Sequence, residues 1–137
     1  LEIEPPAYVP LDIALVVCVR PGHYAEDVEA ALSDRFAARR MASGPPGFFH
    51  PDNFTFGQPV LLSRIITQAM TVEGVRWVGM ALEGVTETGR FRRLHDQSVD
   101  YAESAVLPIG RREVARLDND PSAPERGRLR FIMEGGR

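Results

Sequence analysis

The sequence predicts an α+β fold, a two-layer domain in which two helices cover one face of a small mixed sheet and a C-terminal antiparallel hairpin completes the chain. Three observations predict it. Residues 11–20 alternate as a strand, amphipathic helical stretches occupy 24–40 and 59–71, and two extended segments near the C-terminus flank a turn-rich run. At 137 residues the chain fits one domain. It divides into a βα(β)αβ core over 11–82, a loop over 83–104 and a C-terminal hairpin over 105–137.

In the first strand Leu11, Ile13, Leu15, Val17 and Val19 make one apolar face, and Asp12, Ala14, Val16, Cys18 and Arg20 the other. The second face is also apolar in its middle, which predicts a central strand. Pro21-Gly22 then turns the chain. Tyr24, Val28, Leu32 and Phe36 recur every four residues, the spacing of one helix face. Glu26 and Asp27 in the first turn and Arg39 and Arg40 in the last suit the helix dipole, and Gly44 follows soon after.

The segment GFFHPDNFTFGQP, residues 47–59, comes next; its Phe54-Thr55-Phe56 alternation suits a short strand. Pro59 suits the first position of a helix because its missing N–H has no partner there in any case. The helix of 59–71 is expected to turn Leu62, Ile65, Ile66, Ala69 and Met70 to the core. Glu73-Gly74 breaks it, and Val75, Trp77 and Gly79 alternate with Arg76, Val78 and Met80 in a strand running to about Leu82. Residues 83–104 are mostly polar and read as a loop or flap anchored by Phe91 and Leu94. Residues 112–117 and 128–133 read as the two hairpin arms, with Leu129, Phe131 and Met133 on one face and DNDPSAPERG between them.

With 44% hydrophobic and 26% charged residues, the composition is that of a globular domain. A formal charge of −3 and a pI near 5.6 give no electrostatic reason to expect nucleic acid. All basic residues are Arg, a pattern that GC-rich coding accounts for as readily as contact chemistry. The single Cys18 cannot form an intramolecular disulfide and reads as an inert buried thiol. Apolar stretches fall far short of the roughly 20 residues that span a bilayer, so no membrane insertion is expected. The chain opens on Leu1, with no initiator methionine, and reads as a piece of a longer one.

His50, Asp52, His95 and Asp96 are of the residue types that ligate zinc or iron, which makes a metal-dependent hydrolase one alternative function. Their spacing matches neither the helical H-E-x-x-H nor a C-x-x-C knuckle. The structural reading makes His50 a loop residue and Asp52-Asn53 a turn cap. Asp118, Asp120, Ser122 and Glu125 suggest calcium, but Ala123 and Leu129 stand where an EF-hand loop needs Gly and Glu, so a Pro-stiffened turn is expected. Ser43 and Ser63 lack a nucleophile elbow, and the glycines make no phosphate loop. No catalytic residue, metal or cofactor is expected. Phe48, Phe49, Phe54 and Phe56, each worth about 150–250 Å² of burial, serve either an internal core or a partner interface. A small-molecule regulatory domain is a further alternative.

Two stretches, GFFHPDNFTFGQPVLLSRI and IGRREVARLDNDPSAPERGRLRFIMEGG, resemble the C-terminal part of baseplate assembly proteins, the baseplate J-like wedge family of contractile phage tails and related contractile injection systems. YVPLDIALVVCVRPG resembles the opening strand of that family and VEGVRWV its later one, leaving only about residues 83–104 uncovered. The resemblance implies a non-enzymatic structural subunit, several copies of which join other wedge subunits in a ring. It carries no catalytic residue to transfer and implies no small-molecule substrate. It also implies assembly in the cytoplasm and a final place in the baseplate.

Overall fold

Thirteen consecutive residues, Ala7–Val19, form strand β1, and every other strand of the main sheet pairs with it. The structure, a computed structural model, describes residues 7–37 and 47–136, with the side chain of Asp52 outside that description. After β1 the elements are α1 (Ala25–Arg35), β2 (Val60–Leu61), α2 (Leu62–Met70), β3 (Val75–Gly79), β4 (Arg90–Arg93), β5 (Val106–Leu107), β6 (Glu113–Arg116) and β7 (Arg128–Gly135). Two helices, a mixed five-stranded sheet and a two-stranded antiparallel sheet of β2 and β5 make the predicted α+β domain.

The five-stranded sheet is only three strands wide. β3 and β4 follow one another antiparallel to β1, pairing Val16–Val19 and Leu11–Ala14 respectively. β6 and β7 likewise follow one another parallel to it, at Ala7–Pro10 and Asp12–Val19. A long central strand thus carries two short strands in tandem on each side. Its odd residues Val9 to Val19 join Val28 and Leu32 of α1 and Leu62, Ile65 and Ala69 of α2 in one core. Both helices therefore lie on one face of the sheet. On the other face Ala14, Val16 and Ile132 are covered by Leu82 and Val85.

The predicted C-terminal hairpin is the main correction. β6 and β7 do not pair with each other; both run parallel to β1, and residues 117–127 are a side excursion between them. Its neck is closed by Asp118 N–H to Arg126 O at 3.0 Å and Asn119 N–H to Gly127 O at 3.1 Å. Gly127 has φ 103°, and a Cβ there would lie 2.8 Å from Arg116 O, so the chain re-enters the sheet only through a glycine. Local turn signals predict a reversal, and β1, long enough to hold both arms in line, decides against a hairpin.

Residues 83–104 are not a loop throughout. Arg90–Arg93 form β4, with Phe91 wholly buried and paired to Ile13. The segment Arg-Phe-Arg-Arg looks polar because only one of its side chains enters the core. β1 begins at Ala7 rather than at 11, while α1 ends at Arg35, where Phe36 leaves helical geometry; positions 38–40 of the expected helix lie outside the described residues.

Phe54-Thr55-Phe56 is not a strand, because Thr55 N–H bonds Gln58 Oε1 and Gln58 N–H bonds Thr55 O in a turn. α2 starts at Leu62, since Val60 and Leu61 are held extended against β5. Met70 is 42% exposed and lies outside the core. β3 ends at Gly79; a register shift between Cys18 and Val19 skips Arg76, which lets both Val75 and Val78 be buried while Trp77 faces away.

Candidate protein-contact surfaces

The aromatic loop separates into an inner and an outer part. Phe48 N–H bonds Arg35 O at 2.9 Å, and Asn53 Nδ2 donates to Gly47 O at 3.0 Å and Phe48 O at 3.2 Å, which fixes the loop against the end of α1. Phe49 is buried and Phe48 and Phe54 pack against the core. Phe49 and Phe54 stack with centroids 5.8 Å apart, and Phe36 meets Phe48 edge-on at 5.5 Å and Phe131 at 6.1 Å. Such pairs add about 0.5–1.5 kcal/mol each beyond area burial. Phe56, at 53% exposure, is the one of the four predicted interface residues that stands in solvent.

His95 and Asp96 border a hollow of about 400 Å³ with Tyr8, Arg93, Tyr101 and Glu113. Asp96 accepts from Ser98 Oγ at 2.6 Å, and Glu113 accepts two bonds from Arg93, 3.2 and 3.1 Å long. Arg93 and the Gly110 N–H together hold the Glu113 carboxyl below its ordinary range. His50 instead sits in the aromatic loop, its N–H bonded to Gly47 O and its carbonyl accepting from Asn53. Among the described residues, no three His, Cys, Asp or Glu side chains are grouped closely enough to hold a metal ion. Asp118 pairs with Arg116 rather than turning to Asp120, whose carboxylate caps Ser122 as the turn reading expects.

The most organised polar group among the described residues lies on the sheet face opposite the helices. Asp12 is wholly buried; its Oδ1 accepts Arg90 Nε and Arg128 Nε, both at 2.8 Å, and its Oδ2 accepts Arg92 Nε at 2.9 Å and Arg128 Nη2 at 3.2 Å. Burial alone pushes a carboxyl upward, but the three guanidiniums outweigh it and bring Asp12 down to about 2. One carboxylate thus ties β1 to β4 on one side and β7 on the other. It is not among the sites expected from the sequence, although the signal is present there: a lone acid inside an apolar strand, and alternating arginines in RFRR and RGRLR.

The outer side of β7 is unpaired among the described residues. Leu129 turns its N–H away from β1 to Asn119 Oδ1 at 3.0 Å. By the two-residue period of a strand, Phe131 and Met133 point their backbone groups the same way. Compared with family models, curated proteins and solved structures, the chain matches none of them.

Proposed function

We propose that this chain is the C-terminal domain of a baseplate wedge subunit from a contractile tail or injection device, acting without catalysis through protein contacts. The observation that carries this reading is the outer edge of β7, which beyond the Leu129–Asn119 bond has no partner among the described residues. An unpaired edge without proline is a template for strand addition by a neighbour. Exposed Phe56 and Trp77, at 53% and 37%, supply aromatic anchors of the kind that dominate interface energetics. The baseplate-like stretches named above add the kind of assembly. No helix among the described residues is long and apolar enough to cross a membrane.

The test is the composition of purified contractile particles from the source organism. Peptides of this chain are expected there by mass spectrometry, in stoichiometry with other wedge subunits. Their absence from intact particles of a cell that expresses the chain overturns the assignment. In the same particles, Phe56→Asp combined with Met133→Pro is expected to halt ring formation while the isolated domain still folds, because proline is tolerated where a strand N–H faces outward.

A further inference from the structure

Four arginines form two cross-strand rows on the sheet face turned away from the helices. Arg92, Asp12 and Arg128 make one row across β4, β1 and β7, and Arg90, Ala14 and Arg130 make the next. Neighbouring strands lie about 4.8 Å apart, so the outer arginines of each row start about 10 Å from one another. Asp12 is the only acid within the rows. Arg90 leans back to it from the second row, and Arg130 Nη2 instead meets Glu87 Oε2 at 3.2 Å. Four guanidiniums against the two carboxylates of Asp12 and Glu87 leave the cluster at +2, on a chain whose net charge is −3.

Asp12 engages Arg90 and Arg92 through Nε alone. Both Nη groups of each, and Nη1 of Arg128, have no protein partner among the described residues. The side chains of Arg90, Arg92, Arg128 and Arg130 keep 23%, 22%, 46% and 58% of their exposure, so these donors reach solvent. The guanidinium fork matches a carboxylate, and three of the four are already held in place by a buried acid, which lowers the entropy lost on binding. Further along the same face Trp77, paired with Cys18, is 37% exposed.

We propose that this face docks an acidic segment of a protein partner, with partner carboxylates taking the free Nη donors. The positive patch is short and bounded by Glu87 and by Glu134, which pairs with Cys18 on the same side of the sheet. A run of two or three carboxylates fits within it, whereas a nucleic acid backbone extends past it onto an acidic chain. The surface stands whatever the parent assembly is.

Fluorescence anisotropy with a labelled octaglutamate peptide tests the proposal, with octaglutamine as control. Octaglutamate is expected to bind, and salt to weaken it. Arg90→Gln with Arg130→Gln is expected to weaken binding at least about tenfold, or about 1.4 kcal/mol, while the thermal unfolding transition persists. In the unaltered chain the Nε–H resonances of the four arginines are expected to shift on peptide addition, a readout independent of how the variant folds. Failure to bind octaglutamate, equal binding of octaglutamine, or arginine resonances that stay in place overturns the proposal. So does tighter binding of an oligothymidylate of the same length through those arginines, which makes the face a phosphate-backbone surface instead.

Discussion

Asp12 and Arg128 stand 116 positions apart in the sequence and are joined by two hydrogen bonds, 2.8 Å from Nε to Oδ1 and 3.2 Å from Nη2 to Oδ2. The pair links the first strand of the domain to its last. Because Arg90 and Arg92 share the same carboxylate, removing it releases three cations at once.

Asp12→Ala is therefore expected to destabilise the domain by about 3 kcal/mol, the lower part of the range for breaking a buried ion pair, since the guanidiniums retain contact with water. A fall in Tm of roughly 10 °C corresponds to that loss. A shift under about 2 °C in a thermal melt would show that the network contributes little.

The acid limb of the stability curve should carry the same signature. The Asp12 carboxyl is depressed from 3.8 to about 2 on folding. Its contribution, on the order of 2 kcal/mol, is fully present above pH 4 and is lost as pH falls through 2. Urea titrations between pH 5 and 2 should show Asp12→Ala losing less stability than the unaltered protein over that interval. Parallel curves would place the acid sensitivity elsewhere.

Ala105 occupies φ 63°, a left-handed conformation that costs a residue with a Cβ about 1 kcal/mol or more. Its carbonyl accepts the Leu62 N–H at 2.9 Å and so fixes the start of α2. Ala105→Gly is expected to stabilise by about 0.5–1 kcal/mol, read as a higher urea midpoint at unchanged m-value. A lower midpoint would mean that the strain is relieved in some other way.

The aromatic loop should respond very unevenly to substitution. Phe49→Ser removes a ring that is 3% exposed and packs on Phe36, Phe48 and Phe54, and is expected to cost about 3 kcal/mol or more. Phe56→Ser should stay within about 0.5 kcal/mol. Comparable losses at the two positions would refute the division of the loop into an inner and an outer part.

Amide hydrogen exchange of the free domain reads the edge of β7 directly. Phe131 and Met133, with N–H groups turned outward, are expected to exchange faster than Arg130 and Ile132, which bond β1. Uniform protection along 130–133 would show that the edge is already covered.

Much of the fold was legible locally. The alternation in 11–19 identifies the central strand, and the four-residue spacing of Val28, Leu32 and Phe36 identifies the first helix, because each element must bury one face and the period of that face is written in its own residues. The inward packing of Phe48, Phe49 and Phe54 is one of the two uses expected of the loop, on the size of the rings rather than on any period. Phe91 is legible as an anchor, though not as part of a strand.

What local pattern does not carry is the choice of partner. Residues 113–116 and 128–135 are extended in either arrangement, and a turn-rich run between them favours reversal; only the thirteen-residue length of β1 and the glycine at 127 place them in line along one edge. The arginines of β4 and β7 are likewise brought beside Asp12 only by the strand register. By itself the sequence determined the central strand, the two helices and most of the residues they bury, since those follow from periodicity over a few residues. The tertiary structure alone decided strand order, strand direction and the arginine cluster, since these depend on contacts between segments up to 116 positions apart whose pairing no local period encodes.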